Sequence, residues 1–157
     1  MTDDILELQK TLVREEQDKI PSGIYHLVCE ILVRHTDGTY LLMKRDPTKP
    51  LFPNMWEATA GGSALQGESP LECVKRELRE ETGILTDYFI EVGRVLHQRH
   101  QTYYVNYLCH TDVDKESIVL QEGETSAYKW VTAEELRQMS REELATQRIQ
   151  NFIEELS

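Results

Sequence analysis

Apolar and polar positions along the chain alternate in two distinct rhythms. Residues 3–18, DDILELQKTLVREEQD, repeat at helical spacing, with Ile5, Leu8, Leu12 and Val13 on one side, before Pro21, Ser22 and Gly23 break the run. Residues 24–34 then read as a long strand, the Asp37-Gly38 pair as a hairpin turn, and residues 39–44 as its return strand. Residues 46–55, with three prolines, form a loop, and a short strand over 56–59 leads to Gly61 and Gly62. Further on, residues 88–97, 102–110 and 126–131 carry strand patterns, with a turn over 97–101. Tyr103, Tyr104 and Tyr107 are expected within a strand, and Phe52 and Trp56 in the core, with stacking on a base or ring as their alternative.

Between these strands lies one helix with unusually complete end signals. Ser69 is a good N-cap, Pro70 suits the first helical position, Glu72 completes a capping box, and Gly83 supplies the stop. Leu71, Val74 and Leu78 form its docking arc, while Cys73 is expected to point toward solvent or a helix neighbour. Thr132 with Glu135, and Ser140 with Glu143, are two more capping boxes; they predict a short helix and a terminal helix bearing Leu144, Ile149, Phe152 and Ile153. Strands flanked by helices in this order predict an α/β fold of the α/β/α sandwich type.

Composition narrows the picture. The 157 residues, 39% hydrophobic and 29% charged, suit one ordinary domain with a real core. A formal charge of −11 argues against general nucleic-acid binding, but not against a nucleotide whose phosphates meet a local metal-screened site. Nothing in the sequence has the length of a membrane span, and the N-terminus lacks the basic-then-apolar pattern of an export signal; the expected location is cytoplasmic. Cys29, Cys73 and Cys109 fit neither a zinc pattern nor a disulfide framework and read as buried free thiols.

The candidate chemistry lies on the well-capped helix. Glu77, Glu80 and Glu81 stand at i, i+3 and i+4, so three like charges share one face. A hard divalent cation, which prefers carboxylate oxygen and binds phosphates at the same time, would relieve that repulsion.

Residues 62–84 also resemble the signature of the Nudix hydrolases, Gly-x5-Glu-x7-Arg-Glu-U-x-Glu-Glu-x-Gly-U with U apolar. Gly62, Glu68, Arg76, Glu77, Leu78, Glu80, Glu81, Gly83 and Ile84 meet every specified position. The resemblance implies a mixed, largely antiparallel sheet between helices over residues 23–157, with residues 1–22 as a helical extension. It implies hydrolysis of a phosphoanhydride in a nucleoside diphosphate linked to another group, with Mg2+ or Mn2+ as cofactor. Glu77, Glu80 and Glu81 would ligate the metal together with the Gly61 carbonyl, and Arg76 would orient them through hydrogen bonds. Glu68 would fix the loop or support the metal and substrate. Glu77 is the candidate general base, although some family members use a distant loop residue.

Several Nudix enzymes add a metal-binding glutamate a few residues before a tryptophan-bearing strand. Here Trp130 marks that strand, and Glu124 is preferred over Glu122. Lys44 and Arg45 are candidates for binding substrate phosphates. Family members often pair, and the apolar stripe of residues 3–18 offers a homodimer surface. Ala60-Gly61-Gly62 replaces the family's common Pro-Gly-Gly. Two competing readings are an isopentenyl-diphosphate-isomerase-like enzyme and a non-catalytic sensor of a nucleotide metabolite. The isomerase cysteine would sit just before the signature, where this chain has Thr59-Ala60-Gly61, and a sensor would be expected to carry an eroded signature.

Overall fold

The computed structural model describes residues 25–99, 101–145 and 149–150. The expected helix over residues 3–18, the boundary at residue 22, and Phe152 and Ile153 lie outside these residues.

The hairpin read from Asp37-Gly38 forms between β1 (His26–His35) and β2 (Tyr40–Arg45). Asp37 Oδ1 accepts the Thr39 N–H at 2.9 Å and the Thr39 hydroxyl at 2.6 Å, closing the turn. The two strands are paired only at this closed end, through Arg34 and Tyr40. Beyond it they part, and other strands take their edges. The strand β4 (Thr59–Ser63) lies antiparallel along β1, with Ile31 opposite Ala60 and Glu30 opposite Gly61. On β2, the two-residue β3 (Trp56–Glu57) and the later β7 (Thr125–Val131) occupy the edges. The free side of β1 pairs in parallel with β6 (Thr102–Thr111), which pairs antiparallel with β5 (Phe89–His97). The result is a mixed seven-stranded sheet in which β1–β6 is parallel and the other pairings are antiparallel.

Because β1 is central, both its faces are covered. Leu27, Cys29, Ile31 and Val33 point into one apolar cluster with Val74 and Leu78 of the helix α1 (Pro70–Thr82). Leu32 points the other way, into a second cluster with Leu42, Leu108 and Leu136 of the short helix α2 (Ala133–Gln138). Helices on opposite faces of one sheet give the α/β layering predicted from element order. Full burial of Val74 and Leu78 contributes about 1.5–3 kcal/mol each and clamps α1 against the sheet.

Three local expectations need correction. In α1, Leu71 stays 42% exposed while Cys73 is fully buried beside Val74, because the face that meets the sheet runs through Pro70, Cys73, Val74 and Leu78 and leaves Leu71 to one side. Phe52 is 52% exposed in a left-handed loop position, outside the core. Ser140 and Glu143 close a turn instead of opening a helix: the Ser140 hydroxyl donates to Glu143 at 3.0 Å, and Leu144 then runs as a bridge beside Trp56. Residues 149–150 are helical, and Ile149 is buried in the second cluster.

Candidate active site

The capping box of α1 forms as the sequence predicts, with Ser69 Oγ accepting the Glu72 N–H at 3.1 Å and Gly83 in the left-handed conformation at φ 78°. These two ends fix the rotation of α1, and with it the direction of its carboxylates. Glu77 and Glu81 turn toward the glycines of β4. The Gly61 N–H donates to Glu81 Oε2 at 3.3 Å. A methyl group built on Gly62 would lie 2.8 Å from Glu77 Oε1, so only glycine leaves that carboxylate its place.

Arg76 organises the group. Its Nε donates to Glu68 Oε2 at 2.7 Å and one terminal nitrogen donates to Glu68 Oε1 at 3.0 Å, a two-pronged contact. The same terminal nitrogen donates to the Ser63 carbonyl at 3.1 Å, while the other reaches Glu77 at 2.9 Å and Glu80 at 3.2 Å. One guanidinium thus ties the loop, the strand end and two carboxylates of the helix face into one rigid unit. Its hydrogen bonds to Glu68 raise its own affinity for the proton still further. At Glu68 burial opposes ionisation, but the Arg76 and Leu65 hydrogen bonds together outweigh it and hold the carboxyl below its usual range.

The inner carboxylates behave differently. Burial pushes Glu77 up despite Arg76, and it shares a hydrogen bond with Glu81. Burial, then the Glu77 charge, then Glu57 and Glu124, push Glu81 up to about 9 against the opposing Gly61 hydrogen bond. Burial likewise pushes Glu57 up in spite of Arg45. Added positive charge beside these groups would favour their ionised forms.

Glu57 and Glu81 border a cleft of about 410 Å³. The wall consists of Gly61 and Gly62, Glu57 and Glu81, the loop cations Arg45 and Lys49, and Glu124; Val28, Glu30, Thr59 and Tyr104 line the remainder. The geometry therefore brings together Gly61, Glu81, Glu124 and Arg45, with Glu77 directly behind Gly62; Glu80 does not line the cleft and is held by Arg76. Glu68 stands apart, engaged by Arg76. Lys44 is paired in the sheet with Trp56 and Ala127 and does not line the cleft. Arg45 is occupied: it donates to Glu57 at 2.9 Å and to the Leu51 carbonyl at 2.9 Å.

Glu57, Glu30 and Lys49 were not singled out by sequence reasoning. For Glu57 a signal existed, because Glu57, Thr59 and Gly61 alternate at strand spacing and all face the cleft. Glu30 and Lys49 carry no such mark.

Among the described residues, no group of three or more His, Cys, Asp or Glu forms a finished metal cage. The donors nonetheless suit a hard dication in kind. They are carboxylates and a glycine carbonyl, crowded enough that burial and mutual repulsion raise three of them. Internal cations hold several of them: Arg76 takes Glu77 and Glu80, and Lys49 takes Glu124. The three cysteines offer no alternative chemistry, being free and buried. Burial pushes the Cys109 thiol up to about 12, and a hydrogen bond with Cys29 together with burial raises Cys73.

A family model described as the NUDIX domain matches residues 25–156. The chain is 32% identical over 127 residues to the uncharacterized Nudix hydrolase lmo0368 of Listeria monocytogenes, covering 81% of this chain and 74% of that one. It is 33% identical over 120 residues to the nucleoside triphosphatase NudI of Salmonella newport, covering 70% of this chain and 83% of that protein. Among solved structures, DR0079 from Deinococcus radiodurans superposes with a TM-score of 0.69 at 21% identity, covering 92% of this chain and 89% of that one. That last likeness concerns the fold alone.

Proposed function

The chain belongs to the NUDIX family and is a Nudix-type pyrophosphohydrolase, and from that premise we propose that it cleaves, with Mg2+ or Mn2+, the phosphoanhydride of a nucleoside diphosphate linked to another group. One observation carries the reading: Glu77 and Glu81 are turned onto Gly61 and Gly62 at the wall of a cleft that also holds Arg45, Lys49, Glu57 and Glu124.

In this reading Glu77, Glu80, Glu81, the Gly61 carbonyl and Glu124 hold the metal. When bound, the dication supplies charge neutralisation on the phosphate oxygens and acidifies water. The remaining work belongs to the chain. Arg76 holds Glu77 and Glu80 in place, and Glu68 holds Arg76. Glu77, held behind Gly62 on the inner face of α1, accepts the proton of the attacking water, and burial raises its affinity for that proton. Arg45 and Lys49 bring positive charge to the cleft for the phosphates.

The test is a panel of nucleoside diphosphate derivatives and nucleoside triphosphates incubated with purified protein and Mg2+ or Mn2+. The wild type is expected to release a phosphate-bearing product from at least one, and the Glu80→Gln, Glu81→Gln double variant to lose about 10³-fold or more in rate. A double variant with full activity would show that the site has been misassigned.

A further inference from the structure

Among the described residues the cleft wall holds two cations, Arg45 and Lys49, and they are not equivalent. Arg45 is engaged on two sides, by Glu57 and by the Leu51 carbonyl. Among the described residues, the Lys49 ammonium pairs with Glu124 Oε2 at 2.6 Å. The pair joins two different loops: Lys49 belongs to the proline loop after β2, and Glu124 to the segment before β7. The loops are held in register by the backbone as well, because the Asp46 N–H donates to the Glu124 carbonyl at 3.0 Å and the Lys49 N–H to the Asp46 carbonyl at 3.0 Å. The backbone of Lys49 is therefore fixed, while its side chain ends in a single ion pair with Glu124 and is about one-fifth exposed. Its charge also acts on Glu57, and Glu124 acts on both Glu57 and Glu81.

The carboxylate it holds is one that the proposed function gives to the metal, so two cations compete for Glu124. Glu124 is 47% exposed, so solvent and a dication can reach its carboxylate beside the 21% exposed Lys49. A lysine displaced from Glu124 is left in the cleft as a mobile ammonium, and a phosphate is the partner that chemistry offers there.

Resting on the functional reading above, we propose that Lys49 is a displaceable internal cation: it neutralises Glu124 until a divalent ion takes that carboxylate, then turns to the substrate's phosphate. It acts as a coupling residue, so that metal loading frees the group that helps to hold substrate. The geometry of Arg45 opposes the same exchange, because its release would leave the half-buried Glu57 without the partner seen here.

The experiment is a titration of Mn2+ into metal-free protein without nucleotide, following free Mn2+ by electron paramagnetic resonance. It compares wild type, Lys49→Met, Glu124→Gln and the double variant. Lys49→Met is expected to bind Mn2+ about threefold tighter, since a competitor has been removed. Glu124→Gln should bind it more weakly, and in that background Lys49→Met should change nothing. In turnover of whichever panel compound the wild type cleaves, Lys49→Met should raise KM about tenfold with little change in kcat, and Lys49→Arg should restore most of the loss. Mn2+ affinity unchanged or weaker in Lys49→Met overturns the proposal, and so does an effect that persists without Glu124. A lysine that merely braces the loop would raise KM with no effect on Mn2+. If the wild type itself takes up no Mn2+, the functional reading fails with it; if only the variants fail to differ, the role of Lys49 alone is lost.

Discussion

Glu81 concentrates the energetic tension of the molecule in one carboxyl. Its ordinary value of 4.5 is pushed up to about 9, first by burial and then by Glu77. The folded chain therefore retains a proton that the unfolded chain releases. Its contribution to stability is complete below about 4.5 and drains away as pH rises toward about 9. Without a divalent ion, Glu81→Gln should therefore stabilise the protein at pH 8 by about 1–3 kcal/mol and have little effect at pH 5. Thermal melts in chelator at the two pH values check this. Equal melting of wild type and variant at pH 8 would show that Glu81 bears no such load. The residue's importance was legible from its spacing in the sequence. Its burial was not, because whether a glutamate on an acidic face meets solvent or a strand depends on what packs there, in this case Gly61 and Gly62.

At the scale of elements, α1 was readable almost to the residue, since Ser69, Glu72 and Gly83 act through local hydrogen bonds and backbone conformation. The short helix at Thr132 was readable for the same reason. The same pattern at Ser140 gave a turn, because Leu144 is drawn into a bridge beside Trp56 and the second apolar cluster. Strand pairing was less legible. No local signal announces that β1 and β2 part after one pair and that β4 slides along β1, since this is decided by contacts far apart in sequence.

That junction gives a contrasting prediction for two adjacent glycines. Gly61 has φ 141°, and a methyl group there would lie 2.1 Å from the Cys29 carbonyl oxygen, so Gly61→Ala must force β4 from β1. It should cost about 3 kcal/mol or more in denaturant unfolding. A methyl group on Gly62 meets instead the end of the Glu77 side chain at 2.8 Å, which can move. Gly62→Ala should keep stability within about 1 kcal/mol of wild type yet lower the rate of hydrolysis about 100-fold by misplacing Glu77. Unfolding curves and rates measured side by side would separate the two. A Gly61→Ala protein as stable as wild type, or a fully active Gly62→Ala, would contradict the packing described.

Across the whole molecule, a chain of net charge −11 gathers Arg45, Lys49 and Arg76 at one end of its splayed hairpin, among its most crowded carboxylates. No helix among the described residues is long and apolar enough to cross a membrane. The layering of α1 and α2 on opposite faces follows from element order and was expected. The loops that complete the cleft were not, since Lys49 and Glu124 lie 75 positions apart and meet only because β2 pairs with β7. The central claim is that the inner face of α1 and the first glycine carbonyl of β4 together grip a divalent ion. Anomalous diffraction at the manganese edge, from crystals soaked with Mn2+ and a non-hydrolysable nucleoside diphosphate analogue, tests it most directly. The account predicts a peak within coordination distance of Glu81 and the Gly61 carbonyl; a peak elsewhere, or none with the analogue in the cleft, would contradict it.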